Sequence, residues 1–388
     1  MTEALDGSME GEDTSMFQNQ EFLARATSCT REAVANFQEE ERAWQESLRL
    51  EGSTRTASVA IVGAGVVGLS VALQLHDLGY RVTVFHDRPL LDGTSITAAG
   101  LIEPVAPPED PASQQLVLDS FRRSFQTYAA SVRTQPREIV MLRQVSGYWR
   151  VPAPEPMWSD IVDNYQVLSS GDFPDDGFTW GERFLTFVVD PRAWISWRAS
   201  YLSTNGVGFA MRHFDSPTEL AGDYDVIVNA TGLYAAEFVN DPSMFRSDGY
   251  VLTVPRPSKF EEAIFDWDYP DEIIVFRYAI ARAHEVVLGG TQIEREYEEG
   301  EAPPDFELAK AIHQAVGELV PSLANLPVET SRVCSRPMRA AIRLEHEWFG
   351  STLLVHCYGT GGSGWTLAPG LARFATELLA EHVPPPRA

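Results

Sequence analysis

The chain has 388 residues, of which 44% are hydrophobic, 11% aromatic and 22% charged. These values are typical of a globular protein and are too apolar for a disordered one. The formal net charge of −25 argues against nucleic acid or an anionic membrane as a partner. No apolar run reaches the length of a membrane span, the three cysteines have no metal-site or disulfide spacing, and the acidic start does not resemble a leader peptide. We expect a cytoplasmic protein without a metal ion.

Residues 1–57 are predicted to form an extension that carries one amphipathic helix. From about Thr30 to Leu50 the side chains of one stripe step by three and four residues, and four of the five are apolar: Val34, Phe37, Glu41, Trp44 and Leu48. A helix with one apolar stripe packs against another surface. That surface is either the main body of the same chain or a second copy in a homodimer.

The first motif with chemical meaning begins at residue 58. The apolar run 58–62 predicts a buried strand, and it enters the sequence Gly63-Ala64-Gly65-Val66-Val67-Gly68. A helical pattern and a second apolar strand at 81–85 follow, and this context makes the glycine pattern credible as a dinucleotide site. Gly63 allows the tight turn, Gly65 lets the backbone approach a pyrophosphate, and Gly68 lets the helix pack on the sheet. The helix start, at Val66 and Val67, offers free N–H groups to the phosphates.

In such folds an acidic residue directly after the second strand binds the ribose, but here the first acidic residue comes one position later. The position directly after the second strand holds His86, and Asp87 follows it. Asp87 either holds the ribose from this shifted position or starts a surface turn with Arg88-Pro89.

Two later segments repeat the strand-to-glycine-turn pattern. The strand 224–230 ends at Thr231 and Gly232, and the strand 353–358 enters the glycine-rich turn 359–364. The stretch 93–100 is small and hydroxyl-rich, and it is suited to wrap a second phosphate. Three such units, at the start, middle and end, predict one discontinuous cofactor domain with inserted segments. They favour FAD over NAD, because the C-terminal turn has no evident role in an NAD enzyme.

These motifs, in this order, resemble the D-amino acid oxidase family of FAD enzymes, which includes D-aspartate oxidase and is related to glycine and sarcosine oxidases. The resemblance covers about residues 58–382, and its markers are the first glycine motif, 146–148, 228–232, 288–291, Arg336-Pro337-Met338-Arg339 and 356–364. It implies an α/β fold, with a Rossmann-type FAD-binding domain and an inserted, mainly antiparallel-sheet substrate domain of α+β type. The implied FAD domain comprises 58–105, 181–245 and 330–383, and the implied substrate domain comprises 106–180 and 246–329.

The resemblance also implies roles for single residues. Arg339 matches the arginine that clamps the substrate carboxylate, with Arg336 next in line, and a guanidinium suits this role because its planar fork grips a carboxylate bidentately. Tyr278 matches the tyrosine that bonds the same carboxylate, and the Gly362 carbonyl receives the substrate amine. The implied noncovalent FAD site comprises Gly63, Gly65, Val66, Val67, Gly68, Asp87, Thr94, Ser95, Ala99, Gly100, Val189, Thr231, Gly232, Gly361, Gly362, Ser363, Gly364, Trp365 and Thr366.

The implied reaction is oxidative deamination of a D-amino acid. The substrate presents its α C–H to flavin N5 for hydride transfer, the imino acid hydrolyses to a 2-oxo acid and ammonia, and oxygen reoxidises the flavin to give hydrogen peroxide. Two alternatives remain: oxidation of glycine, sarcosine or another amine, and a flavin-binding protein without catalysis. His356 is expected to be a structural strand histidine. Cys357 is one residue out of register with the cysteine that carries covalent flavin in sarcosine-type oxidases.

Three positions depart from the family pattern and bear on the substrate. Ile274 stands where vertebrate members have a second tyrosine in a mobile lid, and 247–249 replaces a Gly-Arg-Gly turn. Glu103 follows the flavin-domain stretch that leads to the active site. It precedes a proline and an acidic loop, which favours a surface position. In the pocket instead, it would attract a basic D-amino acid and repel an acidic one.

Overall fold

Two β-sheets organise the protein. The computed structural model describes residues 26–103, 110–174, 177–297 and 305–387. Within these ranges one sheet has six strands and the other has nine. The predicted α/β architecture is confirmed, since a Rossmann-type sheet stands beside a mainly antiparallel one.

The six-stranded sheet contains the strand of the first glycine motif. Its strands are β1 (Ser58–Val62), β2 (Arg81–His86), β6 (Gly208–Met211), β7 (Val226–Asn229), β14 (Arg343–Phe349) and β15 (Thr352–Tyr358), in the order β14-β15-β7-β1-β2-β6. All neighbouring strands are parallel except β14 and β15. Every residue of β1 and β7 is buried, which explains why these strands are continuous apolar runs.

The nine-stranded sheet is built from the segments between these strands. Its strands are β3 (Val140–Trp149), β4 (Asp163–Val167), β5 (Trp180–Val189), β8 (Phe245–Pro255), β9 (Glu262–Asp266), β10 (Ile274–Ala281), β11 (Glu285–Thr291), β12 (Ile293–Arg295) and β13 (Thr330–Met338). The order is β12-β8-β11-β10-β9-β3-β5-β4, with β13 paired to β8. Only β3 and β9 pair in parallel among the described strands of this sheet.

Two strands of the nine-stranded sheet fall within the ranges predicted for the FAD domain. The predicted boundaries at 181 and 330 assign most of β5 and all of β13 to the FAD domain. In the structure β5 pairs with β3 along its whole length, and β13 pairs with β8 in the same way. The long antiparallel ladders hold both strands in the nine-stranded sheet, so their side chains reach the site from that side.

The described α-helices are α1 (Arg31–Leu50), α2 (Val66–Asp77), α3 (Thr94–Thr97), α4 (Pro111–Thr134), α5 (Pro191–Thr204), α6 (Ala235–Phe238), α7 (Phe306–Leu319) and α8 (Gly364–His382). Helix α8 packs against both α2 and α4. Among these described helices, none combines the length and the apolar character needed to cross a membrane.

The predicted N-terminal helix is present as α1, and it packs on the body of its own chain. The Trp44 ring lies 3.6 Å from the Arg373 guanidinium of α8. Glu41 forms ion pairs with Arg373 and with Arg123 of α4, both at 2.9 Å. This supports the first of the two alternatives for its apolar stripe, because the stripe is covered within the chain.

Candidate active site

The first glycine motif forms a tight turn between β1 and α2. Gly63 has φ of +112°, a conformation that L side chains rarely adopt. A Cβ on Gly68 would lie 1.9 Å from the Gly63 carbonyl oxygen, so both glycines are required by the fold itself. Gly65 differs, because its φ of −74° is ordinary and a Cβ there would meet only Ser95 Oγ, 3.0 Å away. The space in front of Gly65 is the start of a cavity.

This cavity, of about 960 Å³, connects the glycine turn with the nine-stranded sheet. Small-molecule sites measure roughly 300–1,000 Å³, so the volume suits an extended cofactor. The Val66 N–H, at the start of α2, donates to Ser95 Oγ over 3.1 Å at the edge of the cavity. Most of the predicted cofactor residues line it: Gly63, Gly65, Val66, Val67, Asp87, Thr94, Ser95, Ala99, Gly100, Thr231, Gly232, Gly361, Gly362, Gly364 and Trp365. These residues fit a dinucleotide such as FAD, since glycine turns and a helix start face one continuous space.

The other four predicted cofactor residues lie behind the cavity wall: Gly68, Val189, Ser363 and Thr366. Val189 donates its N–H to the Gly100 carbonyl over 2.8 Å. The Thr366 hydroxyl bonds the backbone of Glu103. These contacts support the wall, and direct contact of the four residues with the cofactor stays a prediction.

Asp87 lines the cavity and is held by its neighbour in sequence. The Arg88 guanidinium pairs with the Asp87 carboxylate at 2.9 Å. This hydrogen bond lowers the pKa of Asp87, which keeps the carboxylate charged. The contact with Arg88 agrees with the predicted surface turn, and the ribose-binding role stays a prediction.

The two arginines of the Arg-Pro-Met-Arg motif face different ways. Arg339 lies outside the cavity wall, where its Nε donates to Asp241 Oδ2 over 3.1 Å and its Nη1 donates to the Ala341 carbonyl over 2.8 Å. Arg336 lines the cavity. It forms no ion pair within the described residues, and its Nη1 donates to the Thr291 carbonyl over 3.2 Å. The geometry therefore favours Arg336, and not the predicted Arg339, as the arginine available to a carboxylate.

Tyr278 and Arg336 line the cavity, and each lies over a glycine of a neighbouring strand. A Cβ on Gly289 would be 2.2 Å from the Tyr278 hydroxyl, and a Cβ on Gly249 would be 2.4 Å from Arg336 Nη2. Burial raises the pKa of Tyr278 to about 12, and the nearby charge of Arg336 opposes that rise. The phenol is therefore protonated at neutral pH and can donate a hydrogen bond, as the role predicted for Tyr278 requires.

Two glutamates, Glu103 and Glu182, line the cavity. The sequence did not point to Glu182, and it favoured a surface position for Glu103. The expected surface position of Glu103 is wrong, because Glu103 lines the cavity and its Oε2 is buried. The Thr366 hydroxyl accepts from the Glu103 N–H over 3.2 Å and donates to the Glu103 carbonyl over 2.9 Å, which holds this residue at the start of α8. Glu182 on β5 lines the same cavity and is 2% exposed. The remaining wall on this side is aromatic: Trp149, Trp180, Phe265, Trp267, Phe276.

The residues before the final glycine turn are structural. His356 is buried with Nε2 2.9 Å from Glu347 Oε1, which confirms the predicted strand histidine. Cys357 is buried outside the cavity lining, and burial raises the pKa of its thiol to about 12. Both observations agree with noncovalent FAD. Cys334 of β13 does line the cavity, with its Sγ 3.9 Å from the Thr94 carbonyl oxygen.

Comparisons with known proteins agree with the motifs and the geometry. The family model described as FAD dependent oxidoreductase (DAO) matches residues 58–378. The chain is 33% identical to the D-amino-acid oxidase of Rubrobacter xylanophilus, over 83% of this chain and 95% of that protein. It is 30% identical to the D-aspartate oxidase of Homo sapiens, over 84% of this chain and 96% of that protein.

A solved structure shares the fold at low sequence identity. The glycine oxidase from Bacillus cereus superposes with a TM-score of 0.66 at 18% identity, over 84% of this chain and 95% of that chain. With the family match over most of the chain and a cavity that suits a dinucleotide, the chain belongs to the DAO family of FAD-dependent oxidoreductases.

Proposed function

We propose that this protein oxidatively deaminates a D-amino acid, with FAD as its cofactor. The observation that carries the proposal is Arg336, which faces the cavity beside Tyr278 and has no ion pair within the described residues. A guanidinium that lines a small-molecule cavity without an acidic partner among the described residues is suited to bind a carboxylate. Relatives at 30–33% identity bear the names D-amino-acid oxidase and D-aspartate oxidase, which favours a D-amino acid over glycine or another amine.

Each residue of the cavity has a separate role in this proposal. Arg336 and Tyr278 bind the substrate carboxylate, and the Gly362 carbonyl accepts a hydrogen bond from the neutral amine. Holding the substrate at two ends fixes the direction of its α C–H bond. The glycine turns at Gly63, Thr231 and Gly361 would hold FAD, which would supply the hydride acceptor for the substrate carbon and the route for the electrons to oxygen. Because the amine arrives unprotonated, the chain needs no side chain to remove a proton, and water hydrolyses the imine to a 2-oxo acid.

Two further features support catalysis over simple flavin binding. The start of α8 faces the cavity at Gly364, and a helix N-terminus stabilises negative charge placed there. A half-buried guanidinium without an acidic partner is costly to the fold, and a protein that only bound flavin would have no use for Arg336. A ribose-binding role for Asp87 belongs to the same proposal.

The purified protein is expected to be yellow and to release FAD on acid denaturation. Mixed without oxygen with D-alanine, D-lysine, D-glutamate, L-alanine, glycine or sarcosine, it should lose its flavin absorbance with at least one D-amino acid and not with L-alanine. Air should restore the colour and yield hydrogen peroxide. Colourless protein that takes up no added FAD contradicts the cofactor assignment, and bleaching only by glycine or sarcosine replaces the D-amino acid with the amine alternative.

A single methyl group at Gly289 should weaken the carboxylate site. Gly289→Ala puts a Cβ where the Tyr278 hydroxyl lies, so the tyrosine must turn away. We expect kcat/KM for the preferred amino acid to fall about 10- to 100-fold, the value of one hydrogen bond to a charged group. Gly171→Ala is the control, because a Cβ there meets nothing within 4 Å. Equal kinetics of the two variants would remove Tyr278 from the proposed site.

A further inference from the structure

Glu103 and Glu182 present buried carboxylates to the cavity that also contains Arg336 and Tyr278. Glu182 accepts a hydrogen bond from the Tyr165 hydroxyl over 3.0 Å. Glu103 Oε2 is buried and has no partner among the described residues. Neither glutamate forms an ion pair within the described part of the chain. A buried carboxylate without a cation is costly to the folded state, so a cation bound between the two glutamates would stabilise their charged form.

The register of the nine-stranded sheet fixes where Glu182 lies relative to the carboxylate site. Tyr278 of β10 stands opposite Phe265 of β9, Phe265 stands opposite Gly147 of β3, and Gly147 stands opposite Glu182 of β5. Directly opposite residues project to the same face of a sheet. Tyr278 and Glu182 therefore face the same cavity across three strand intervals, which is about 14 Å between their backbones.

The surface between these two residues is aromatic. A neighbouring row, two residues along the chain from each of these four positions, contains only aromatic side chains, whose rings contact one another in the order Trp180, Trp149, Trp267 and Phe276. Gly147 leaves room for two of these indole rings, because a Cβ at this position would lie 2.9 Å from Trp267 Nε1 and 3.0 Å from a Trp149 ring carbon. Both indoles therefore lie over Gly147, the cross-strand neighbour of Glu182. Aromatic faces attract ammonium and guanidinium groups, and they do so most strongly away from water.

Burial disfavours the charged form of both carboxyl groups. It raises the pKa of Glu182 to about 7 and, together with the nearby Glu182, raises the pKa of Glu103 well above its usual range. The groups facing them are the Tyr165 hydroxyl and, at the exposed rim of the cavity, Glu155, so no positive charge of the described chain relieves the pair. A cation between them would restore the charged form.

We infer that the cavity selects amino acids whose side chain ends in an ammonium or guanidinium group. The inference rests on the proposed function, and it names the substrate class of that site: a D-amino acid of the lysine or arginine type. Arg336 and Tyr278 hold the carboxylate, the side chain runs along the aromatic row, and Glu103 and Glu182 bind its cationic end. A long side chain is needed to cross the sheet face. An acidic side chain is excluded by like charge.

Steady-state kinetics of the FAD-bound protein test this with pairs of substrates of equal length. D-Arginine is compared with D-citrulline, and D-lysine is compared with D-2-aminoheptanoate, whose side chain has the same number of non-hydrogen atoms. The parent protein should favour the cationic member by about tenfold or more in kcat/KM, and Glu182→Gln and Glu103→Gln should bring this ratio close to 1. Glu262→Gln is the matched control, because Glu262 is a half-buried glutamate of the same sheet that does not line the cavity. A ratio near 1 in the parent, or one unchanged in both cavity variants, overturns the inference.

Binding of unreactive ligands separates this inference from the proposed function. 4-Guanidinobenzoate and 4-isobutylbenzoate have nearly the same shape, and neither has an oxidisable amine. Titrated into the FAD-bound parent and followed by flavin absorbance, the guanidino compound should bind about tenfold more tightly, and Glu182→Gln should remove the difference. If no amino acid is oxidised, the proposed function fails and this titration still decides on the cation site. If amino acids are oxidised and the two ligands bind equally, the cation site alone is wrong.

Discussion

Arg336→Leu is expected to lower kcat/KM for amino acid substrates by roughly 10²–10³-fold while FAD stays bound. The reason is the loss of the proposed charge-assisted pair between Arg336 and the substrate carboxylate, which costs about 3–4 kcal/mol. The effect should appear with every carboxylated substrate, because the carboxylate is common to them all. Flavin content and the midpoint of thermal unfolding should change little, since Arg336 forms no ion pair within the described residues.

Arg339→Leu is the matched control, and it should give the opposite pattern. Arg339 donates to Asp241, which also accepts hydrogen bonds from Ser243 and Tyr358. Breaking this contact should lower the free energy of unfolding by about 1–3 kcal/mol and leave kcat/KM within about twofold of the parent. If Arg339→Leu lost turnover and Arg336→Leu kept it, the carboxylate clamp would be Arg339, as the sequence motif alone suggests.

The stability lost in Arg339→Leu should depend on pH. Burial alone would raise the pKa of Asp241, but hydrogen bonds from Ser243 and Tyr358 and the charge of Arg339 hold it well below its usual range. A group with a depressed folded-state pKa contributes stability above its unfolded pKa, about 3.9 for an aspartate, and loses it as the pH falls below that value. The difference between parent and variant should therefore be full at neutral pH and shrink in acid.

The part of the site that sequence analysis predicted well is the part built from consecutive residues. The turn at Gly63 and Gly68 needs glycine for reasons of local backbone geometry, and the surrounding strand and helix are adjacent in the chain. Such a unit carries its own signal, because the steric requirement and the motif coincide. The same holds for Gly361 and Gly362, which follow the end of the buried strand β15 after two intervening residues.

The choice between Arg336 and Arg339 depends on a fact that the motif does not contain. Residues three apart at the end of a strand project to different sides, and β13 ends at Met338, between the two arginines. Which side faces the cavity is decided by the pairing of β13 with β8, whose partner residues lie more than 75 positions earlier in the chain. Sequence alone gives two arginines of equal chemistry, and only the tertiary pairing assigns one to the cavity.

The positions of Glu103 and Glu182 in the cavity could not be predicted from the sequence, for related reasons. Glu103 precedes a proline and an acidic loop, and local composition favours water around it. The Thr366 hydroxyl, from a helix more than 250 residues later, bonds its backbone and reverses that expectation. Glu182 lies in a strand where tryptophan, glycine, glutamate and arginine follow one another, so no apolar alternation marks its face. Its position became visible only through its pairing with Gly147.

Gly65→Leu is expected to abolish FAD binding while leaving the fold intact. The structure separates Gly65 from the other glycines of its turn, because its backbone angles are ordinary and only Ser95 Oγ lies within 4 Å of an added Cβ. The fold therefore has no requirement for glycine at this position. The requirement comes from the cofactor, whose pyrophosphate must approach the backbone and the helix start closely. Losing two hydrogen bonds to a charged phosphate group should weaken FAD by about 10³-fold.

Substitutions at two other glycines serve as controls that distinguish loss of the cofactor from loss of the fold. Gly68→Leu should fail to fold, because its Cβ would lie 1.9 Å from the Gly63 carbonyl oxygen. Gly171→Leu should fold and keep its flavin, because its Cβ meets nothing within 4 Å and it lies outside the cavity lining. The measurements are flavin content after purification, FAD affinity of the stripped protein and far-UV circular dichroism. A Gly65→Leu protein that is folded and yellow would mean that the pyrophosphate does not pass this turn, and the cofactor would then have to enter the cavity from the side of Thr231 and Gly361.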